Sequence, residues 1–246
     1  MYSIYTVLNS AYLTFGKVFL NSLYDKLDNS KVKYIFIVDT GLTDEDRLFL
    51  SKNDKVKIID SGVTTNLKGG TEDKEWTQTV VLKTYVLREL LKTYDDLFPI
   101  VMIDSDCMFI KDISDLINTD YDLQICHRQN PQTPLLGSYV SFNNKDKCMS
   151  FLDKWIDRIP QIETPWKESP ALSQIYSENK EKYNIELIPE NKVSSYTTDD
   201  INHTHIIHFK SMSNNKTVEE TIRKRIFDRG FGPYIKENNY LEDEIV

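Results

Sequence analysis

With 246 residues, of which 40% are hydrophobic and 28% are charged, the chain has the composition of a folded globular protein and not of a disordered tail. Its formal net charge of -8 argues against broad electrostatic binding to nucleic acid or to an anionic membrane. The length fits one large α/β domain, because single hydrophobic cores reach this size before chains split into domains.

The first half of the sequence alternates between strand and helix patterns. Apolar, β-branched runs predict strands at 2–8, 33–39, 55–60 and 99–103. Helical spacing of apolar residues predicts helices at 11–27, 43–51 and 76–94, and Thr43 is placed to cap the second of these. This alternation predicts a mostly parallel sheet covered by helices on both faces.

The second half is less regular. Strands are predicted at 122–126, 138–143, 185–189 and 204–209, and helices at 145–159 and 168–183. The segment from about 231 to the end is acidic, and we expect it to lie at the periphery of the fold.

Cysteine usage and the N-terminal sequence bear on the compartment. Cys107, Cys126 and Cys148 have neither a zinc-like nor a Cys-x-x-Cys spacing, so reduced thiols are expected. The opening MYSIYTVLNSAY lacks the basic flank and long apolar stretch of a signal peptide, and no run of about 18 apolar residues occurs. We expect a protein without a membrane anchor that acts in the cytoplasm.

Asp104 and Asp106 form the Asp-x-Asp pair with the clearest chemical context. They follow a predicted buried strand, and ligands of open α/β sheets bind at the carboxyl ends of such strands. Carboxylates at i and i+2 can face one Mg²⁺ or Mn²⁺ ion that also binds a diphosphate, whereas an acidic turn is the structural alternative. The remaining two pairs have structural interpretations: Asp44/Asp46 lies in the first turn of a predicted helix and Asp120/Asp122 in a polar turn.

Two longer segments carry a family resemblance. IDSDCMFIKDISDL is similar to the Asp-x-Asp segment and following DI-DL sequence of the GT-A glycosyltransferases of family 8, the group that includes glycogenin and bacterial galactosyltransferases. TVLNSAYLTFGKVFLNSL resembles the opening strand and helix of that family. The resemblance spans roughly residues 3–216. It implies a single Rossmann-like GT-A domain with a nucleotide-binding half at 1–110, an acceptor half with a metal-binding His at 111–216, and a C-terminal helix and acidic tail at 217–246.

The resemblance implies donor-binding roles for particular residues. Thr6, Asn9 and Tyr12 would hold the uracil and ribose of a UDP-sugar, Lys83 would approach the donor phosphate or sugar, and Ser105 would line the donor site between the two acids. Tyr12 also fits an aromatic core anchor, and Lys83 a solvated helix position.

A late histidine is implied as the third metal ligand. IIHFKSMSNNK resembles the family segment His-x-x-Gly-x-x-Lys and places His208 at the ligand position, although a structural role would also fit. A neutral imidazole suits a site otherwise built from carboxylate and phosphate oxygens. The segment departs from the family at Ser211 and Asn214, so Lys210 or Lys216 would have to supply the cation for the leaving diphosphate.

Two segments on the acceptor side also depart from the family pattern. LLGSYVSFN resembles an Asn-[Ser/Ala]-Gly strand in which Leu136 replaces the Asn. WKESPALSQIY resembles a segment that begins Asp-Gln, with Glu168 in the Asp position and Ser169 in place of the Gln. Glu168 would position the donor or stabilise charge at the anomeric carbon, and its structural alternative is an acid in the first turn of a helix.

These features together predict a metal-dependent hexosyltransferase. It would move a sugar from a nucleotide diphosphate sugar, expected to be UDP-linked, to a hydroxyl of a carbohydrate or protein-linked glycan. Family 8 implies retention of the anomeric configuration, and an inverting enzyme with Glu168 as general base is the first alternative. A non-catalytic module that binds a nucleotide sugar or glycan is the second, and a phosphatase of the haloacid-dehalogenase type with Asp104 as nucleophile is the third.

Overall fold

A seven-stranded sheet organises the part of the chain that the computed structural model describes, namely residues 1–64, 74–94, 96–164, 167–195, 201–209 and 240, with 74–80 described in backbone only. The strands are β1 Tyr2–Leu8, β2 Val32–Asp39, β3 Val56–Asp60, β4 Ile100–Ile103, β5 Cys107–Phe109, β6 Leu123–His127, β7 Leu135–Phe142, β8 Ile185–Pro189 and β9 Ile206–His208. The helices are α1 Leu13–Lys26, α2 Asp44–Leu50, α3 Lys74–Thr93, α4 Lys145–Arg158, α5 Glu168–Asn179 and α6 Glu190–Val193.

The main sheet has the strand order β3-β2-β1-β4-β7-β6-β8. Strands β3, β2, β1 and β4 are parallel to one another, and so are β6 and β8. Only β7 runs antiparallel to both strands beside it in the described sheet. The predicted α/β architecture with a mostly parallel sheet is therefore confirmed.

A second sheet contains only β5 and β9 among the described residues, and the two strands pair antiparallel. Cys107 lies opposite His208, and Phe109 lies opposite Ile206. The apolar run predicts β9, but nothing predicts β5, because three residues are too few to show an alternating pattern. This small sheet brings a segment from late in the chain against the residues that follow β4.

Local sequence explains how the helices begin and which face they bury. Helix α1 follows a short 3₁₀ helix at Ser10–Tyr12, and Phe15, Phe19 and Leu23 all lie in the core. Helix α2 begins with the predicted cap: the Asp46 amide donates to Thr43 Oγ1, and the Thr43 amide donates to Asp46 Oδ2. The acids of the Asp44/Asp46 pair therefore have the structural role expected of them.

The Asp120/Asp122 pair is structural as well. Asp122 Oδ2 accepts a hydrogen bond from the backbone amide of Asn184 at 2.9 Å. The Asp120 backbone carbonyl accepts one from the Asn184 side chain, also at 2.9 Å. These contacts fix the turn before β6 against the turn before β8.

One residue of the C-terminal segment corrects the sequence-based expectation. Tyr240 is 1% exposed and packs in an apolar cluster that also contains Phe15, Val18, Met108, Ile207 and Phe209. Its hydroxyl donates to Asp25 of α1, and its carbonyl accepts from Asn21 Nδ2 at 3.2 Å. The tail is therefore not peripheral at Tyr240, and the rest of the predicted C-terminal helix and tail lies outside the described residues.

Candidate active site

The segment that follows β4 is held by backbone bonds on two sides. The Asp104 amide donates to the Ser138 carbonyl of β7 at 3.2 Å, and the Phe209 amide donates to the Asp106 carbonyl at 2.9 Å. The side chains of Asp104 and Asp106 remain 30% and 15% exposed. Both carboxylates thus lie at the carboxyl end of β4, as the sequence predicted, and solvent or a ligand can reach them.

The structure brings His208 to these two acids. His208 Nε2 lies 3.1 Å from Asp106 Oδ1 and 3.8 Å from Asp104 Oδ2. Burial alone would raise the pKa of Asp106, but the neighbouring His208 and Lys83 side chains lower it below its usual value. Asp106 is therefore a carboxylate, the form that binds a cation.

Hydroxyl groups behind His208 orient its ring. Nδ1 lies 2.9 Å from Ser194 Oγ, which in turn lies 3.0 Å from Ser138 Oγ. With a cation bound at Nε2, Nδ1 would carry the proton and donate it to Ser194 Oγ, which would keep the ring directed at the two acids. Sequence reasoning did not identify Ser194, because its role depends on a residue that lies 14 positions later in the chain.

A cysteine also belongs to this cluster. Ligand atoms of Asp106, Cys107 and His208 all lie within 4.8 Å of one another. Nothing in the sequence indicates this proximity, because the spacing of Cys107 matches no metal motif and only the pairing of β5 with β9 brings His208 beside it.

Lys83 is buried between two carboxylates. Its Nζ lies 2.8 Å from Asp104 Oδ1 and 2.7 Å from Glu168 Oε1, and it donates to the Gly137 carbonyl at 3.2 Å. Burial on its own would lower the pKa of Lys83, but the charges of Asp104 and Glu168 raise it above its ordinary value. Lys83 is therefore a fixed ammonium ion, and the alternative of a solvated helix position is wrong.

Glu168 is the first residue of α5, and its backbone and side chain are both anchored. Its carbonyl accepts from Trp155 Nε1 at 3.0 Å, and its carboxylate lies against the α-carbon of Gly137, where an added Cβ would come within 2.5 Å of Oε1. Burial, assisted by Asp104 and opposed by Lys83, raises the pKa of Glu168 to about 7. Glu168 is therefore a buried acid that can change protonation near neutral pH.

The donor set fits a hard divalent cation. Asp104, Asp106 and Glu168 contribute three carboxylates, and Lys83, which pairs with Asp104 and Glu168, is the one buried lysine among the described residues. Asp104 and Asp106 both lie within 3.8 Å of His208 Nε2, and Mn²⁺ and Mg²⁺ accept carboxylate and imidazole ligands. Excess negative charge at a half-buried position is stabilised when a cation binds there.

Residues predicted on the nucleotide side occupy the loop after β1 and the strand itself. Asn9 Oδ1 accepts from the Tyr12 amide at 3.0 Å, so the Asn9 side chain caps the 3₁₀ helix. The Tyr12 ring is partly buried, 5.9 Å from the Phe15 ring, which stacks at 5.7 Å on Phe209, the neighbour of His208. A chain of aromatic rings therefore connects the loop after β1 to the strand that carries the histidine.

Of the other predicted donor-site residues, Thr6 and Ser105 belong to the described part of the chain and Lys210 does not. Thr6 is 2% exposed, and its hydroxyl has no hydrogen-bond partner within the described part of the chain. Ser105 is 9% exposed and lies between the two acids. Lys210, with Ser211, Asn214 and Lys216, lies outside the described residues.

The chain resembles known proteins in part of its sequence and in its fold. The model of a family described as nucleotide-diphospho-sugar transferase matches residues 50–221. No curated protein matches the sequence. Among the helices that the structure describes, none is long and apolar enough to cross a membrane.

Several solved glycosyltransferases share the fold. The bifunctional glycosyltransferase WbbM, in its apo form, has a TM-score of 0.61 at 11% identity; the match covers 96% of this chain and 51% of WbbM, so the chain spans about half its length. GlyE of Streptococcus pneumoniae TIGR4 has a TM-score of 0.59 at 12% identity, and the match covers 97% of this chain and 64% of GlyE. The galactosyltransferase LgtC, solved with donor and acceptor sugar analogues, has a TM-score of 0.57 at 12% identity. The match covers 96% of this chain and 99% of LgtC.

Proposed function

The chain belongs to the nucleotide-diphospho-sugar transferase family and is a glycosyltransferase, and we propose that it moves a hexose from UDP to a hydroxyl of a carbohydrate or protein-linked glycan. The observation that carries the proposal is the convergence of Asp104, Asp106 and His208 at the carboxyl end of β4. We further propose that the chain is of the family 8 type, because its opening strand and helix and its acidic segment resemble that group.

Asp104, Asp106 and His208 would hold Mn²⁺ or Mg²⁺. The cation would neutralise negative charge on the diphosphate as it leaves. Asp106 is ionised, and the hydroxyl of Ser194 fixes the His208 ring, so both side chains are prepared for this role before a cation arrives. Lys210 would add a further positive charge near the diphosphate.

Lys83 and Glu168 would act on the sugar side of the donor. The Lys83 ammonium pairs with both Asp104 and Glu168, so the proposed metal ligand and the candidate catalytic carboxylate would be positioned together. Thr6, Asn9, Tyr12 and Ser105 would contact the nucleotide. Positioning of this kind lowers a barrier because the reacting groups no longer lose orientational freedom on the way to the transition state.

We propose that the reaction retains the anomeric configuration. The acceptor hydroxyl would then attack from the face that the diphosphate leaves, and its proton would pass to a phosphate oxygen of the leaving group. Glu168 would stabilise positive charge at the anomeric carbon. The raised pKa of Glu168, caused mainly by its burial, favours the inverting alternative, because a more basic carboxylate is better suited to act as a general base. NMR of the first-formed product anomer separates the two.

The direct test is hydrolysis of the donor without an acceptor. Purified protein is incubated with a panel of nucleotide sugars and Mn²⁺, with and without a chelator, and release of the nucleoside diphosphate is measured. We expect release from a UDP-hexose that stops with the chelator and in Asp106→Asn. Asp120→Asn, which removes an exposed acid from the structural pair, is the matched control and should retain full release. Metal-independent release, or full release by a folded Asp106→Asn protein, would refute the metal assignment.

A further inference from the structure

Cys107 and His208 are direct neighbours across the two-stranded sheet. They lie opposite each other in the antiparallel pairing of β5 with β9, so their side chains lie on the same face of that sheet. Cys107 is fully buried and His208 is 7% exposed. With an oxygen of Asp106, their ligand atoms form a set that lies within 4.8 Å.

This set has a different chemistry from the one proposed for Mn²⁺. A thiolate, an imidazole and a carboxylate are the ligands that Zn²⁺ takes in proteins, whereas Mg²⁺ and Mn²⁺ favour oxygen. Ligand atoms around tetrahedral zinc lie roughly 3.5 Å apart, so a set already within 4.8 Å needs only a small movement of side chains to close.

Asp104 does not belong to this second set. Its Oδ1 pairs with Lys83 at 2.8 Å, and its Oδ2 is 3.8 Å from His208, farther than the Oδ1 of Asp106 at 3.1 Å. Two overlapping ligand sets therefore share Asp106 and His208. One is completed by the oxygen ligand Asp104, and the other by the sulfur ligand Cys107.

We propose that Asp106, Cys107 and His208 form a binding site for Zn²⁺ or a similar thiophilic divalent cation. As the metal-sulfur bond forms, the thiol proton of Cys107 is released to solvent, while Asp106 and His208 each supply a lone pair. No electron is transferred. Because the two sets share Asp106 and His208, zinc bound here competes with Mn²⁺ for the proposed active site. This last consequence rests on the proposed function, whereas zinc binding itself does not.

Cobalt(II) is the probe that reports the sulfur ligand directly. A thiolate bound to Co²⁺ produces a strong charge-transfer absorption in the near ultraviolet, which oxygen and nitrogen ligands do not. With thiols kept reduced, we expect this band in the wild-type protein, its loss in Cys107→Ser, and its disappearance when stoichiometric Zn²⁺ displaces the cobalt. Cys126→Ser and Cys148→Ser are matched controls, because those buried thiols belong to no such ligand set among the described residues, and both should retain the band.

Two further measurements make the result decisive. Asp104→Asn should retain the cobalt band, because Asp104 belongs only to the oxygen set. X-ray absorption at the zinc edge of the wild-type protein should show one sulfur atom bound to the metal, and this needs no variant that must fold. Bound zinc without a sulfur ligand, or a cobalt band that persists in Cys107→Ser, would overturn the proposal. Chelator-sensitive donor hydrolysis with Mn²⁺ tests the proposed function separately, so either can fail while the other holds.

Discussion

The carboxylate of Glu168 lies directly against the α-carbon of Gly137, so that an added Cβ would lie 2.5 Å from Oε1 and 2.6 Å from Cδ. Real side chains do not approach so closely, and the neighbours of Glu168 leave it little freedom, since Lys83 holds Oε1 and Trp155 holds its backbone. Gly137 is therefore the residue that makes room for the candidate catalytic acid.

We predict that Gly137→Ala displaces the Glu168 carboxylate and lowers kcat by about a hundredfold, the cost typical of misplacing a reacting group by about an ångström. Nucleotide affinity, measured by calorimetry, should change little. Glu168→Asp in the same protein shortens the acid by one methylene and should recover part of the loss. If Gly137→Ala changes neither kcat nor Tm, the contact between Gly137 and the Glu168 carboxylate does not position that acid.

Lys83 is predicted to be required for folding stability as well as for activity. Lys83→Met would leave Asp104 and Glu168 without the charge between them, and loss of one partner from a buried ion pair costs about 3–5 kcal/mol. Chemical denaturation measures this. Lys92→Met, which removes an exposed lysine from the same helix, should cost much less. Adding Glu168→Gln to Lys83→Met should cost less than the sum of the two single changes, because they remove one shared interaction.

The pH dependence of stability should reveal Glu168. Burial is the largest cause of its raised pKa, from an ordinary value of 4.5 to about 7. Between these two pKa values Glu168 is protonated in the folded state and ionised in the unfolded state. Its contribution to the free energy of unfolding is therefore complete below about pH 4.5 and is lost as the pH rises through about 7. Glu168→Gln is neutral at every pH. The Tm of this variant should therefore rise relative to the wild-type Tm as the pH increases from about 5 to about 8.

Glu178→Gln is the control for this prediction. Glu178 is exposed, and its hydrogen bond with Arg158 lowers its pKa. Its replacement should therefore produce no gain in Tm over the same range. A Glu168→Gln protein whose Tm follows that of the wild type at every pH would show that Glu168 is not a buried acid with a raised pKa.

Ser194 is predicted to set metal affinity through His208. Ser194→Ala removes the hydroxyl 2.9 Å from Nδ1, and loss of a partner that orients a metal ligand typically weakens metal affinity about 10–100-fold. Binding of Mn²⁺ can be followed by electron paramagnetic resonance. Ser138→Ala, one hydrogen bond farther from the ring, should have a smaller effect. Equal affinity in all three proteins would mean that the hydroxyl pair does not orient the ring.

Tyr240 is predicted to anchor the C-terminal segment. Tyr240→Ala should lower the free energy of unfolding by roughly 3–5 kcal/mol, as expected for a large buried aromatic side chain. Tyr240→Phe keeps the ring, loses the hydrogen bond to Asp25 and should cost about 1 kcal/mol. The same denaturation experiment measures both, and a stable Tyr240→Ala protein would contradict the buried packing.

The elements of the main sheet are predictable because their signals are local. Continuous apolar residues in Ile100–Ile103, helical spacing in Leu13–Lys26 and the cap at Thr43 each depend on neighbours a few positions away. The position of Asp104 and Asp106 is also predictable, since it needs only the end of one buried strand. Structures of this kind are specified by propensity and periodicity before any long-range contact forms.

The contacts within the candidate site are not predictable in this way. Lys83, Gly137 and Glu168 come from α3, β7 and α5, and they meet because β7 inserts antiparallel beside β4. The small sheet of β5 and β9 places Cys107 and His208 side by side although about a hundred residues separate them in the chain.

An α/β fold with an acidic pair at the carboxyl end of a central strand thus follows from the order and polarity of adjacent residues alone. Which side chains share the space around that pair depends on long-range packing. Three properties arise there: Lys83 is a buried ion between two acids, Glu168 is an acid with a raised pKa, and Cys107 is a neighbour of His208. Burial and pairing across strands set these properties, and neither is encoded in the spacing of residues along the chain.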